Sequence, residues 1–263
     1  MNKIKKRKEF FKKYFEKKRD DIFFITIKKG ASVKFKNLEY VTEKEMPVPV
    51  RAEKLLDDIK DQDDNEGITI NNIIDGIIFI QGTDKTFSYL MDYHNMLNKL
   101  NFELSPYIML CINKFDDNND DAVIYGKALL NIYENEKSCF VYASALEKRG
   151  MDKKAKNIET ESSYFLEEAH SYYEKSLDYD EKFALSYYKL GYYYRLKEQY
   201  VKAQTFWNKH QELDDDVFRI EEIRNELEQL QAYVDFENGY NLVLKEQPNE
   251  ALDLLLPLVK QFG

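Results

Sequence analysis

The sequence predicts a mostly α-helical chain built from pairs of antiparallel helices. Charged residues make up 33% of the composition and apolar residues 43%, whereas only nine glycines and five prolines occur. This balance favours helices over a β-sandwich or a barrel. The stretch Ala184–Val217 shows the pattern most clearly, because four of its residues recur at i, i+3, i+4 and i+7, the spacing of one helix face. They are Tyr187, Leu190, Gly191 and Tyr194.

A second helix follows in the same stretch after a short turn. Ala203, Trp207 and His210 repeat the helical spacing. Gly191 and Ala203 are small at positions where two helix backbones would come close. Tyr187 and Trp207 are large enough to fill the wedge between the helices. The pattern therefore predicts a closely packed helix pair.

This stretch resembles one tetratricopeptide (TPR) repeat, a helix–turn–helix of about 34 residues. The resemblance rests on the aromatic, Leu-Gly and Tyr of the first helix and on the Ala and aromatic residue of the second. Glu198 stands where the family has a turn glycine, and Asp215 where it has a closing proline. The resemblance implies an all-α-dominated, right-handed helical solenoid of antiparallel helix pairs, whose first helices line a concave face.

Extended along the chain, the resemblance predicts a TPR-like array over residues 102–263. Residues 51–101 are predicted to be helical, with a degenerate repeat over 69–101 that places Gly76 like Gly191. In the array, the segment KNIETESSYFLEE is either a longer turn or a helix extension. The predicted parts of the array are 102–135, 136–183 with an insertion of 14 residues, 184–217, a helical extension 218–231, and 232–263.

Residues 1–50 have a different pattern, which predicts a basic helix, a β-hairpin and an extended strap. Ile25 and Ile27, then Val33 and Phe35, alternate in the manner of strands on either side of KKGAS. The MPVPV segment at residues 46–50 is expected to be extended, because a residue before proline avoids the helical region. The N-terminal part is thus a small α/β appendage to the helical body.

The charge is distributed unevenly. Residues 1–19 hold ten Lys or Arg and two Glu, a net charge of +8, so the rest of a chain with a total of −9 carries −17. An acidic body argues against general nucleic-acid binding. The basic helix either tethers the chain to an anionic membrane or nucleic acid, or docks its aromatic residues on the acidic body. Those aromatic residues are Phe10, Phe11, Tyr14 and Phe15.

The pattern of apolar residues predicts a cytoplasmic protein. No apolar run reaches the roughly 18 residues of a membrane span, and the basic start lacks the apolar core of a secretory signal. Cys111 and Cys139 lie far apart in helical patterns, without metal-ligand spacing. We expect both to be reduced thiols of the core.

Two acidic segments carry alternating oxygen ligands, but we expect turns rather than calcium sites. The first has its glycine, Gly67, one position late for the sharp turn of an EF-hand, and Asn72 at the twelfth position cannot supply a bidentate carboxylate. The second, Asp116–Asp121, has no glycine. The oxygen-bearing residues of the first segment are Asp61, Asp63 and Asn65, and the helix before it is marked by Ala52, Leu55, Leu56 and Ile59.

No catalytic motif is found in the sequence. The histidines His94, His170 and His210 lie on separate predicted helices without ligand spacing. A Gly-rich phosphate loop, a nucleophile elbow and an HExxH motif are all lacking. We therefore expect a non-catalytic protein that needs no cofactor or metal.

The resemblance implies that the concave face binds a peptide or a partner helix of another protein. Aromatic side chains there offer large contact area, and Arg195 could pair with a carboxylate. Tyr188 and Tyr192 replace the Lys and Asn of the carboxylate clamp that some TPR proteins use, so clamp-type chaperone recognition is not expected. As an alternative to partner binding, both tyrosines pack between neighbouring helices. The implied partner-binding residues are Phe140, Ser144, Tyr188, Tyr192, Arg195, Phe236 and Tyr240.

A peptide-sensing regulatory protein of the same fold is an alternative. It would have a closed superhelix with a discrete polar pocket. The N-terminus shows no DNA-binding helix–turn–helix, which counts against this alternative.

The last helix, ALDLLLPLVKQFG, is apolar nearly all round. Solenoids normally end in a helix with a polar outer face. We therefore expect either a fragment of a longer array or a helix that is buried by self-association with another subunit.

Overall fold

A computed structural model describes residues 3–53, 69–115 and 119–262, in which eleven helices and four short strands form. The prediction of a helix-dominated chain with a small β part is confirmed. The chain divides into two compact units, Met1–Ala169 and His170–Gly263. Unit 1 holds α1 (Lys3–Arg19), β1 (Ile22–Ile27), β2 (Ser32–Phe35), β3 (Leu38–Val41), β4 (Met46–Arg51), α2 (Ile70–Thr83), α3 (Leu90–Lys99), α4 (Leu104–Lys114), α5 (Asn119–Ile132) and α6 (Glu136–Ala155). The boundary lies within α7 (Glu159–Tyr179), and unit 2 continues with α8 (Ala184–Leu196), α9 (Tyr200–Leu213), α10 (Val217–Leu244) and α11 (Pro248–Phe262).

The strands form two separate antiparallel pairs. β1 pairs with β4, so that Ile22 lies opposite Arg51, and β2 pairs with β3. The predicted hairpin across KKGAS is therefore wrong: β1 and β2 do not pair. Alternation of apolar residues locates the strands but does not specify which strands pair. The hairpin that forms is β2–β3, whose two-residue turn contains Lys36 with φ 53°.

The MPVPV segment forms β4, so its predicted extended conformation is confirmed. Val48 and Val50 are buried in the core of unit 1. Gly76 of α2 lies against the Pro49 carbonyl of β4, where a Cβ would overlap the backbone. Because Gly76 is placed like Gly191, it was predicted to contact a second helix. It contacts a strand instead, so this prediction is wrong.

A buried ion-pair cluster joins β4 to α2 and α5. The two terminal guanidinium nitrogens of Arg51, Nη1 and Nη2, donate to the Asp121 carboxylate at 2.9 and 3.2 Å, and the guanidinium lies over the Phe79 ring. Asp75 lies 3.5 Å from the same guanidinium and accepts a hydrogen bond from the Tyr125 hydroxyl. Burial raises the pKa of Asp121 even though Arg51 opposes the shift. A bidentate pair of this kind fixes the orientation of the three elements.

Asp121 also corrects a prediction. The segment Asp116–Asp121 was expected to be a turn, but residues 119–121 form the first turn of α5. The amino end of a helix favours carboxylates, because the helix dipole is positive there. Residues 116–118 lie outside the described residues, as do the predicted helix residues Leu55, Leu56 and Ile59 and the predicted turn residues Asp61, Asp63, Asn65 and Gly67.

The basic helix α1 packs its aromatic face on the rest of unit 1. The rings of Phe10, Phe11 and Tyr14 each lie 5.3–5.5 Å from the Phe165 ring, and Phe11 is buried. The Tyr14 hydroxyl donates to Asp120 at 2.9 Å. Cations of the same helix pair with acidic residues: Arg7 with Glu168, Lys18 with Asp120 and Arg19 with Asp84. This geometry agrees with the docking alternative for α1.

Unit 2 contains the predicted helix pair, α8 and α9. A Cβ at Gly191 would overlap ring atoms of Trp207, so the two helices approach as closely as a glycine allows. Trp207, Leu190 and Ala203 are fully buried at this contact. The helical extension predicted over 218–231 also forms, because α10 is one continuous helix.

The same contact recurs between three other consecutive helix pairs. In each, a glycine of the first helix lies against a larger residue 16 positions later. The three other pairs are Gly126–Tyr142 of α5 and α6, Gly150–Leu166 of α6 and α7, and Gly239–Leu255 of α10 and α11, which with Gly191–Trp207 make four. The segment KNIETESSYFLEE is mostly helical, since α7 begins at Glu159.

Three of these pairs also share one turn geometry. Asn157, Glu198 and Glu246 each follow the contact glycine by seven residues and have φ between 57° and 60°. In each turn the next amide donates back to a carbonyl five residues earlier, as from Gln199 to Tyr194 at 3.0 Å. This is the Schellman arrangement, which usually has glycine at the left-handed position. Glu198 therefore takes the conformation of the missing turn glycine.

None of the helices in the described ranges 3–53, 69–115 and 119–262 has the length and apolar character needed to cross a membrane.

We expect Gly191→Ala to lower the free energy of unfolding by about 1–2 kcal/mol. Alanine favours the helix by up to about 1 kcal/mol, but the buried Trp207 ring cannot move away, and overpacking costs about 1–3 kcal/mol. Gly239→Ala is the matched control, because the three atoms nearest to its Cβ all belong to the Leu255 side chain, the first at 2.7 Å, and this side chain can change rotamer. Urea unfolding should show Gly191→Ala as the less stable variant, and the reverse order would contradict the contact.

Glu198→Gly should stabilise unit 2, or leave it unchanged, whereas Glu198→Val should destabilise it by about 1–2 kcal/mol. A left-handed residue with a Cβ is strained by about that amount, and a β-branched side chain tolerates this conformation least. Thermal unfolding of the two variants measures the difference. Equal melting temperatures would show that Glu198 is not held at positive φ.

Candidate functional site

A polar seam connects α8 to α10 in unit 2. Tyr188, Tyr192 and Arg195 recur at i, i+4 and i+7 on α8, and Glu222 and Glu226 face them from α10. The Tyr188 and Tyr192 hydroxyls both donate to Oε1 of Glu222, at 2.9 and 2.5 Å. Arg195 forms an ion pair with Glu226. Three of the predicted partner-binding residues therefore lie side by side, and each contacts a carboxylate of its own chain.

The rings of these two tyrosines also pack on the helix pair. The Tyr192 ring is edge-on to Trp207 with centroids 4.9 Å apart, and the Tyr188 ring lies 5.3 Å from the His210 ring. Trp207 Nε1 donates to the Tyr188 carbonyl at 3.3 Å. Both tyrosines are half-buried. Their rings thus contribute to packing, while their hydroxyls position Glu222.

Glu222 changes the acidity of both hydroxyls. Burial and the hydrogen bond to Glu222 raise the pKa of Tyr188 to about 12, and the same two causes raise the pKa of Tyr192. An unfolded tyrosine has a pKa of about 10. The stabilisation from the protonated Tyr188 hydroxyl is therefore complete below about pH 10 and is lost as the pH rises through 12, and the stabilisation from Tyr192 also begins to fall near pH 10.

Phe236 and Tyr240 of α10 are the exposed members of the predicted set. Phe236 is 58% exposed and Tyr240 is 54% exposed, although both are large and aromatic. Phe236 lines an apolar groove of about 780 Å³ between α10 and α11. The other lining residues are Glu198, Tyr200, Ala232, Tyr233, Leu255, Leu258 and Val259.

Phe140 and Ser144 lie in unit 1, on α6. Both are half-buried and line a shallow pocket of about 340 Å³, together with Met109 and Ile112 of α4 and Lys148 of α6. The predicted residues therefore occur as one pair in unit 1 and five residues in unit 2. The five in unit 2 separate further into the seam residues and the exposed pair on α10.

Sequence reasoning missed Glu222, Glu226 and Tyr233. Glu222 and Glu226 lie four residues apart in the segment FRIEEIRNELEQLQ, for which the sequence predicts only a helical extension. A like-charged pair on one helix face was the available signal. The Tyr233 ring lies tilted against the Tyr200 ring, with centroids 4.9 Å apart. That contact joins two helices and has no local signature.

The histidines occupy three separate environments. His210 is buried, donates from Nδ1 to the Ala184 carbonyl at 3.1 Å and has Nε2 3.3 Å from Asp214. His170 stacks on Tyr193. His94 lies 3.2 Å from Gln81, and burial lowers its pKa. Within the part of the chain that the structure describes, no group of three or more His, Cys, Asp or Glu side chains is arranged to hold a metal ion.

The two cysteines lie in unit 1. Cys139 is fully buried, and Cys111 is half-buried against the core. Burial raises the pKa of Cys111, which disfavours its thiolate form. The arrangement gives no sign of an activated nucleophile at Cys111.

Comparison of the sequence with protein-family models and with curated proteins finds no match.

Replacing Tyr188 and Tyr192 together by Phe or by Ser should separate the two roles of these residues. The Phe pair keeps the rings and loses the hydroxyls, so we expect a loss of about 1 kcal/mol. The Ser pair also loses half-buried rings, so we expect a total loss of about 2–4 kcal/mol. Urea unfolding at pH 7 measures both variants.

The difference between the wild type and the Phe pair should shrink as the pH rises from about 10 to 12, because the two hydroxyls of the unfolded wild type deprotonate there, which favours unfolding, and the Phe pair has no such hydroxyls. A Ser pair as stable as the wild type would show that these tyrosines are not part of the packing.

Proposed function

We propose that this chain is a TPR-like helical solenoid that acts as a non-catalytic protein-interaction module. The architecture is supported by the recurrent glycine contact and by its spacing. A small buried residue lies 12 positions after each contact glycine, as Ala203 does after Gly191. The corresponding residues in the other pairs are Ser138, Ser162 and Ala251.

Stacking of successive helices is a second support. α6 contacts α5 through Tyr142 and α7 through Gly150. α10 contacts α9 through Tyr233 and α11 through Gly239. A helix that packs on both the preceding and the following helix is typical of solenoids, in which each repeat buries the face of its neighbour.

The exposed aromatic pair Phe236 and Tyr240 carries the proposal for binding. Large aromatic side chains that remain accessible on a rigid helix are the residues that most often dominate interface energy. The groove beside Phe236 is apolar and open, which fits the apolar face of a partner helix or an extended peptide with apolar anchors. Arg195 contributes less, because a ligand carboxylate would have to displace Glu226.

The alternative of a tether through residues 1–19 has weaker support. The aromatic residues that would insert into a membrane interface instead pack around Phe165. Exposed lysines such as Lys5, Lys12 and Lys17 remain on the outer face of α1. They would provide only a salt-sensitive attraction to anionic surfaces.

For the test, a binding partner is first isolated from the source cell by a pull-down in which the intact gene product is the bait. Its affinity for the wild type is compared with that for Phe236→Ser/Tyr240→Ser. We expect at least tenfold weaker binding of the double variant, because truncating an interface hot spot costs about 2 kcal/mol or more. Circular dichroism and melting temperature should be nearly unchanged, since both side chains are more than half exposed.

Phe218→Ser is the matched control, because Phe218 is an exposed aromatic residue of the same helix, 89% exposed and remote from the groove. Its affinity should equal that of the wild type. If the double variant binds as tightly as the wild type, these aromatic residues are not the binding site. If Phe218→Ser is equally weakened, the effect is not specific to the groove.

A further inference from the structure

One face of α11 is apolar and uncovered. Leu252, Leu256 and Val259 recur at i, i+4 and i+7, and each is at least half exposed. Ala251 and Leu255 lie on a neighbouring face, where Ala251 is buried and Leu255 packs on Gly239 of α10. The helix thus buries one apolar face within unit 2 and presents a second, which we call the α11 stripe (Leu252, Leu256 and Val259).

The packing of α10 on α9 shows how unit 2 covers the equivalent face of another helix. The Val201 amide donates to Glu237 at 3.0 Å, Gln204 donates to Gln231 at 3.1 Å, and Gln211 donates to the Ile220 carbonyl at 3.2 Å. Residues later in α9 contact residues earlier in α10, so the two helices are antiparallel.

The stripe occupies the same helical positions. Gln204 and Gln211 lie 13 and 20 residues after Gly191, and Leu252 and Val259 lie 13 and 20 residues after Gly239. On α9 these positions are covered by an antiparallel helix, with glutamines that hydrogen-bond to it. On α11 they are apolar, which fits an antiparallel helix that offers apolar side chains.

The charges beside the stripe favour α11 of a second copy as that helix. Asp253 follows Leu252, and Lys260 follows Val259. The two charged residues are seven residues apart, so they lie along the same edge of the stripe, and both are exposed. When two copies of α11 pair antiparallel about Leu256, Leu252 of each meets Val259 of the other. Asp253 of each then faces Lys260 of the other, because the same edges meet in an antiparallel pair.

We propose that two copies of this chain associate through the α11 stripe, with their α11 helices antiparallel. The interface is isologous, since each copy contributes the same residues. One helix pair buries less than the roughly 1,200–2,000 Å² of stable complexes. The association is therefore weak and depends on protein concentration. It goes beyond the proposed function, because it requires no other protein.

Sedimentation velocity of the full chain over a range of micromolar concentrations tests the proposal. The wild type should shift from monomer to dimer as its concentration rises. Leu256→Glu, at the centre of the stripe, should raise the dissociation constant at least tenfold. Leu196→Glu is the matched control, because Leu196 is an exposed leucine of α8, and it should dimerise like the wild type. Circular dichroism checks that both variants fold.

A charge exchange tests the antiparallel register. Asp253→Lys should weaken the dimer, because it places two lysines opposite each other, and adding Lys260→Asp should restore it. Restoration supports pairing of α11 with itself, and failure to restore overturns the antiparallel arrangement. A wild type that stays monomeric at every concentration overturns the proposal and leaves the stripe to a helix of a different protein. A dimer that Leu256→Glu does not weaken overturns it as well.

Discussion

Close approach of helix backbones at a glycine is the constraint on which most of the helical structure depends. At Gly191 there is no space for a Cβ, because the Trp207 ring lies against the backbone. This contact brings α8 and α9 near enough for Trp207 Nε1 to reach the Tyr188 carbonyl and for His210 to reach the Ala184 carbonyl. Trp207 Nε1 and His210 Nδ1 thereby find hydrogen-bond acceptors on the neighbouring helix, as burial favours. Packing and hydrogen bonding are consequences of one interhelical distance.

The same distance determines where the turn must be. With the glycine and its partner 16 residues apart, the chain has to reverse between them, and it does so at a left-handed residue in three of the four pairs. Asn157 suits this conformation, because asparagine tolerates positive φ, whereas Glu198 and Glu246 do not. Tertiary contacts on both sides of the turn therefore impose a conformation that the local residue disfavours, and glycine is not required.

Much of the helical part could be predicted from sequence, because its contacts are local. Gly191 and Trp207 lie within one helix pair, and the 3.6-residue period places them on facing sides. Strand pairing could not be predicted this way, since β1 finds its partner β4 some 24 residues later and alternation is equal for either choice. The seam was missed for a similar reason. The resemblance places Tyr188 and Tyr192 together on the concave face, but Glu222 lies on another helix, and no local pattern connects it to them.

The seam limits what a partner can use in unit 2. Glu222 accepts hydrogen bonds from two tyrosines and Glu226 pairs with Arg195, so three polar side chains of α8 already bind carboxylates of α10. A ligand that binds there must replace those contacts, and it loses about as much as it gains. The Phe236 side chain is 58% exposed, so a ligand could cover it without displacing such contacts. Under the proposed function, recognition in unit 2 would therefore rest on burial of apolar surface, and a partner would be selected by shape and apolar pattern more than by charge.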